Sequence, residues 1–113
     1  MLVLAIDTAT PAVTAGLVEL PGLPADGPPV ELARAVTVDA RAHAEQLAPH
    51  VREVLGGAVP EAVVVGVGPG PFTGLRVGMV TAAALGDGWG VPVHGVCSLD
   101  AVAHQAAHPA LLV

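Results

Sequence analysis

A glycine-rich segment between two apolar runs constrains this chain most strongly. Residues 66–78 read GVGPGPFTGLRVG, with the apolar run AVVV before them and the largely apolar run MVTAAAL after them. This order indicates a buried strand, a tight loop and a helix. Because glycine inside a helix costs about 1 kcal/mol relative to alanine, we expect some close contact of the helix to offset that cost.

The small residues of the predicted helix recur at every fourth position. Gly70, Gly74, Gly78 and Ala82 would form one smooth stripe, and most of the remaining helix surface is apolar as well. A helix that is apolar nearly all round has no solvent face. We expect one side to pack on a sheet and the other to meet a partner, unless the first helix of the chain covers it. The predicted partner interface consists of Gly74, Val77, Gly78, Thr81, Ala82, Leu85, Leu47 and Val51.

The first half of the chain predicts three strands and a helix. Apolar runs at residues 2–6, 12–20 and 30–38 indicate an antiparallel meander. A helix follows from an N-cap at Asp39 to the stop at residues 56–57, and Pro49 inside it predicts a kink or break near residues 46–48.

The second half predicts alternating strands and helices. Strands are expected at residues 61–67 and 91–96, and helices at 72–85 and 98–106. The helix at 72–85 is expected to end at Gly86, Gly88 and Gly90. The order βββαβαβα predicts an α/β domain with a mixed five-stranded sheet and helices on its faces.

Composition excludes several functions. The 113 residues include no Lys and four Arg against ten acidic residues, and a net charge of −6 argues against binding a nucleic-acid backbone alone. Aromatic residues, at 2%, are too few for base stacking. The single cysteine, Cys97, permits no internal disulfide and fits a reducing, cytoplasmic compartment. No apolar run approaches the about 20 residues of a membrane span.

Some residues near the strand ends could carry chemistry. A carboxylate and hydroxyls after the first strand could hold Mg²⁺ or phosphate, and a glycine loop before a helix could cradle phosphate. The possible phosphate contacts are Asp7, Thr8, Gly68, Gly70 and Thr73. We prefer a strand-end turn and a tight packing loop, because no Lys follows as a P-loop requires.

The histidines do not predict a metal site. His43 and His50 are seven residues apart, and His104 and His108 have no third ligand near them in the sequence. Capping of a helix explains Ser98 better than a catalytic triad does. We predict neither a metal site nor catalytic residues in this chain.

Four segments in order resemble the TsaB (YeaZ) family. They are residues 5–10 (AIDTAT), 41–49 (RAHAEQLAP), 68–78 (GPGPFTGLRVG) and 98–101 (SLDA), and members usually have Ser where Pro71 stands. The resemblance covers essentially the whole chain. It implies the actin-like ATPase (RNase H-like) fold, with residues 1–109 as the first of two similar lobes and residues 110–113 as the start of a strand of a missing second lobe.

The resemblance also implies a function in tRNA modification. TsaB is a non-catalytic dimerisation and activating subunit of the bacterial complex that forms N6-threonylcarbamoyladenosine at position 37 of tRNAs reading ANN codons. The implied partners are the catalytic relative TsaD, which pairs through helices of the first lobe, and the ATPase TsaE. A homodimer is expected when the subunit is alone, and tRNA is met only through the complex. ATP and metal are expected on the catalytic partner.

One segment distinguishes the scaffold from the enzyme. The catalytic relative carries His-Leu-Glu-Gly-His after a Gly-Val pair, and its two histidines bind the metal. Here the pair Gly95-Val96 leads to positions that hold Ser98 and Val102, which cannot replace histidine as ligands. The alternative is an actin-like ATPase or metal-dependent transferase acting alone through Asp7 and the glycine loop. It is disfavoured because nucleotide binds between two lobes in this fold.

Overall fold

The computed structural model describes residues 1–21, 29–38, 43–70 and 72–99. Its elements are β1 (Leu2–Asp7), β2 (Ala12–Glu19), β3 (Val30–Val38), α1 (His43–Leu55), β4 (Ala62–Gly66), α2 (Phe72–Trp89) and β5 (Val93–Val96). The predicted third helix lies outside the described residues except for Ser98 and Leu99, which have helical geometry. The strand predicted at residues 110–113, with the lobe boundary before it, also lies outside them.

The five strands form one mixed sheet in the order β3-β2-β1-β4-β5. β1, β2 and β3 pair antiparallel, whereas β4 runs parallel to β1 and β5 parallel to β4. Ile6 at the centre of the sheet lies opposite Ala15 of β2 and Val65 of β4. The predicted meander and the predicted mixed α/β sheet are both confirmed.

Both described helices lie on the same side of the sheet. α1 packs against β2 and β3, and α2 packs against β4 and β1. Alternate strand residues point toward them, as the period of two in a strand requires. The buried core is Leu4, Ile6, Val13, Ala15, Leu17, Ala35, Leu47, Val51, Val54, Val63, Val65 and Ala82.

The opposite side of the sheet, which we call the open face, carries the intervening residues. Ala5, Gly16, Val64 and Val96 belong to it, as their strand registers show. Neither of the two described helices covers this side.

Two predictions about the helices need correction, one about the interior of α1 and one about the end of α2. α1 runs unbroken from His43 to Leu55 with Pro49 inside it, so of the predicted kink or break the break is absent. α2 continues through Gly86 and ends at Trp89. Gly86 does not stop the helix. It lets β5 approach, because a Cβ there would collide with a side-chain methyl of Val93.

Candidate functional site

The first turns of α2 are attached to the end of β1 by Thr8. Thr8 is 1% exposed. The hydroxyl donates to the carbonyl oxygen of Gly74 at 2.6 Å and accepts from the amide of Gly78 at 3.0 Å. These are the two groups that an α-helix joins by its own i to i−4 hydrogen bond, so the hydroxyl inserts into that ladder. A Cβ on Gly78 would collide with the Thr8 hydroxyl, which explains the glycine.

A second close contact lies where β1, β4 and β5 end. A Cβ on Gly66 would collide with the carboxylate of Asp7 and lie 2.6 Å from the Ser98 hydroxyl. Asp7 Oδ1 accepts from the amide of Ala9 at 2.7 Å. The hydroxyl of Ser98 accepts from the Gly68 amide at 3.3 Å, and the Ser98 amide donates to the Gly68 carbonyl at 2.8 Å. Ser98, which is 4% exposed, therefore stabilises the glycine loop through these two hydrogen bonds.

The loop itself folds against the turn that follows β1. Gly68 has a φ of 97°, a conformation that favours glycine. Gly70 lies so close to the backbone of Ala9 that a Cβ would overlap the Ala9 carbonyl oxygen. Together with Thr8, these contacts hold the N-terminal end of α2 directly above the end of β1.

Most residues of the predicted partner interface are buried within this chain. Leu47, Val51 and Ala82 belong to the hydrophobic core, and Val77 and Leu85 pack against it. Gly74 and Gly78 are buried beside Thr8, and Thr81 is half-buried. The smooth stripe thus serves a close approach, as its spacing indicated, but the approaching group is the end of this chain's own β1. The exposed surface of α2 lies elsewhere, and a partner interface at the predicted residues stays a prediction.

The opposite side of α2 is exposed and largely apolar. Exposed positions recur at helical spacing, and Met79 and Val80 are 41% and 61% exposed. We call this surface the outer face of α2, consisting of Arg76, Met79, Val80, Ala83, Ala84 and Asp87. The sequence predicted an apolar helix on all sides but could not single out these residues.

Several of the predicted phosphate contacts already have partners within the chain. The Thr8 hydroxyl and the Gly68 amide are both hydrogen-bonded internally. Asp7 retains a half-buried carboxylate, and Gly70 is exposed beside Ala9. The side chain of Thr73 lies outside the described set. A phosphate contact stays a prediction, with Asp7 and Gly70 as its described candidates.

One described histidine has a structural role. His50 of α1 shares a hydrogen bond of 2.7 Å with the Thr37 hydroxyl of β3. Among the described residues, no three His, Cys, Asp or Glu side chains cluster as metal ligands would.

In that same part of the chain, neither helix is both long and apolar enough to cross a membrane.

Comparison with known proteins finds one family model that matches most of this chain. Residues 36–113 match the family model described as TsaD, tRNA N6-adenosine threonylcarbamoyltransferase. An uncharacterized protein of Mycobacterium tuberculosis is 57% identical over 116 residues, which are 98% of this chain and 52% of that protein. The tRNA N6-adenosine threonylcarbamoyltransferase of Corynebacterium diphtheriae is 42% identical over 62 residues, 52% of this chain and 18% of that enzyme.

Solved structures show the same fold. YeaZ from Pseudomonas aeruginosa matches with a TM-score of 0.79 and 31% identity, over 96% of this chain and 49% of YeaZ. The RuvC structure of Thermus thermophilus matches with a TM-score of 0.66 and 21% identity, over 96% of this chain and 70% of RuvC, a likeness of fold alone. This chain spans about half the length of the M. tuberculosis relative and of YeaZ.

Proposed function

Because this chain belongs to the family described as TsaD, tRNA N6-adenosine threonylcarbamoyltransferase, we propose that it takes part in forming N6-threonylcarbamoyladenosine on tRNA. The match to YeaZ confirms the resemblance to the TsaB (YeaZ) family, and with it the RNase H-like, actin-like fold. Within that pathway we propose the part of a non-catalytic dimerisation and activating subunit that pairs with a TsaD-type catalytic subunit.

The observation that supports this proposal most strongly is the exposed apolar outer face of α2. Monomeric proteins seldom expose contiguous apolar surface without a use for it, and Met79, Val80, Ala83 and Ala84 lie side by side on one exposed helix face. The helix is held rigidly from beneath by Thr8 and by the core. A rigid apolar face has little conformational entropy to lose on association, which favours binding.

The residues around Ser98 support a non-catalytic role. The resemblance puts Ser98 where the catalytic relative has a metal-binding histidine. Here the Ser98 side chain is buried, and its hydroxyl and amide are both bonded to Gly68. A buried hydroxyl that is hydrogen-bonded to the loop stabilises the conformation of the loop. ATP and metal are accordingly proposed to act on the catalytic partner.

The remaining members of the proposed assembly follow from the resemblance. A TsaE-type ATPase joins the pair, tRNA is met only through the complex, and the subunit forms a homodimer when it is alone. The assembly is proposed to work in the cytoplasm, which fits a chain with one cysteine and no possible internal disulfide.

The proposal is tested by co-purification with the TsaD-type subunit of the same organism. Val80→Asp places a charge on the outer face of α2 and should weaken association about tenfold or more, because an unpaired charge is costly to bury in an apolar interface. Affinity measured by calorimetry gives the size of the effect.

The control is Val59→Asp, which makes the same change at a loop valine with nearly the same exposure, 60% against 61%. This variant should bind like the parent protein. Failure of the parent to associate would refute the pairing, whereas equal binding by both variants would show that the outer face of α2 is not the interface.

A further inference from the structure

The two halves of α2 are held to the sheet by different kinds of contact. In the C-terminal half, side chains pack: Ala82 lies in the hydrophobic core and Leu85 packs against it. In the N-terminal half, the buried positions among the described residues are Gly74 and Gly78, which have no side chains to pack. The hydrogen bonds from the Thr8 hydroxyl to the backbone of these two glycines take the place of such packing.

Hydrogen bonds of this kind fix the direction of a helix more sharply than apolar packing does. A hydrogen bond weakens steeply when donor and acceptor lose their alignment, and burial of Thr8 shields both of its bonds from water. A side chain that inserts into the hydrogen-bond ladder also changes the direction of the helix axis. The Thr8 hydroxyl is therefore placed to set the angle at which the N-terminal half of α2 crosses the end of β1.

The large apolar side chains of the outer face of α2 come directly after this attachment. Met79 follows Gly78 in the sequence and Val80 follows Met79, and both side chains are exposed. The other apolar residues of the outer face, Ala83 and Ala84, are small and belong to the half that the core holds. Most of the apolar contact area that the outer face offers thus lies beside the attachment at Gly78.

We propose that Thr8 is a positioning residue for the partner interface. Its hydroxyl sets the angle of the N-terminal half of α2 and thereby places Met79 and Val80 for contact with the TsaD-type subunit. The proposal rests on the proposed function, and it adds a residue that does not touch the partner, since Thr8 is buried beneath the helix. Binding then depends on a hydroxyl at the end of the central strand as well as on the exposed side chains of α2.

The test compares the affinities of variants for the TsaD-type subunit of the same organism, measured by calorimetry. Thr8→Val removes the hydroxyl and should weaken association about fivefold or more, within the range by which residues outside an interface modulate binding. Thr8→Ser keeps the hydroxyl and should retain most of the affinity. Circular dichroism at the temperature of the binding measurement shows whether each variant is folded.

Thr37→Val is the matched control, because Thr37 also joins a strand to a helix through its hydroxyl. That hydroxyl shares a hydrogen bond of 2.7 Å with His50 of α1, and neither residue belongs to α2. This variant loses a comparable hydrogen bond and should bind the TsaD-type subunit like the parent protein. An equal loss of affinity from Thr37→Val would overturn the proposal, since a general loss of stability would then explain both results.

A double-mutant cycle separates positioning from stability. Met79→Ala should weaken association less in the Thr8→Val background than in the parent, because Met79 is already displaced there. Asp87→Ala changes the other half of the outer face and should have the same effect in both backgrounds. If Thr8→Val does not fold, Gly78→Ala replaces it in the cycle, because the added Cβ would displace the Thr8 hydroxyl.

The outcomes distinguish this proposal from the proposed function. Equal binding by Thr8→Val and the parent, or independent effects of Thr8→Val and Met79→Ala, would overturn the positioning role and leave the pairing with the TsaD-type subunit intact. A parent protein that does not bind the subunit would refute the proposed function, and the positioning role with it.

Discussion

The Thr8 hydroxyl explains why α2 has glycine at position 78. It joins the Gly74 carbonyl and the Gly78 amide of α2 to the end of β1. Reaching the helix backbone requires that no side chain intervene, and a Cβ on Gly78 would collide with it. The helix-weakening glycine is therefore offset by two buried hydrogen bonds that attach α2 to the central strand.

Thr8→Val removes the hydroxyl and keeps the shape of the side chain. The free energy of unfolding should fall by about 1–3 kcal/mol, the usual cost of leaving buried hydrogen-bonding groups without a partner. Thr8→Ser retains the hydroxyl and should lose less. Urea unfolding followed by the fluorescence of Trp89, the only tryptophan, measures both. Equal stability of Thr8→Val and the parent would contradict the role assigned to the hydroxyl.

Gly78→Ala should destabilise the protein through its collision with Thr8. In the Thr8→Ala background the same change should cost less, giving a coupling of about 0.5–3 kcal/mol between the two sites. The matched control is Gly88→Ala in the same helix. A Cβ there meets nothing within 4 Å, so this change should stabilise the helix by about 0.5–1 kcal/mol. Additive effects of the Thr8 and Gly78 changes in urea unfolding would argue against contact between them.

At the scale of the element, α1 and α2 both contain residues that weaken a helix, for different reasons. Gly78 makes room for Thr8, whereas Pro49 lies on the exposed side of α1. α1 stays continuous around Pro49 because Leu47 and Val51, on its buried side, hold the flanking turns to the sheet. Tertiary packing here outweighs the local preference of proline for breaking a helix.

Pro49→Ala should therefore raise the free energy of unfolding by about 1–3 kcal/mol, since alanine restores a backbone donor and suits a helix interior. The neighbouring change Ala48→Gly, also at an exposed position, should lower it by about 1 kcal/mol. Thermal unfolding monitored by circular dichroism compares the two. A lower melting temperature for Pro49→Ala would mean that the proline ring stabilises the helix by packing.

At the scale of the whole molecule, the sheet has two unlike sides. One side is covered by α1 and α2, and the outer face of α2 is exposed on that side of the molecule. The other side is the open face. A chain with 53% hydrophobic residues and 12% charged residues has few polar groups with which to cover both. Association with other chains is therefore expected on the side where a rigid apolar helix surface is exposed.

The isolated chain should form dimers at high concentration through the outer face of α2. Val80→Asp should shift the solution mass toward the monomer, measured by sedimentation across a range of concentrations. Val38→Asp introduces the same charge at a valine that is 76% exposed on β3, away from α2, and should leave the mass unchanged. A parent protein that stays monomeric, or a shift caused by Val38→Asp alone, would contradict this arrangement.

Much of the architecture follows from the sequence itself. Apolar runs and glycine stops placed the described strands and helices within a few residues of their observed bounds. The meander and the parallel strand pairs follow because short links favour antiparallel neighbours, whereas a helix between strands makes a parallel crossover. The motif at residues 68–78 and its companions led to the family that the comparisons confirm.

What covers each helix face was decided only by the tertiary structure. The stripe of Gly70, Gly74, Gly78 and Ala82 predicts a close approach whether the approaching group belongs to the same chain or to another. In the structure it is Thr8, Ala9 and the chain's own core. Periodicity states which residues share a face, but not what lies against it. That depends on contacts between residues as far apart in sequence as Thr8 and Gly78, and no local pattern encodes such contacts.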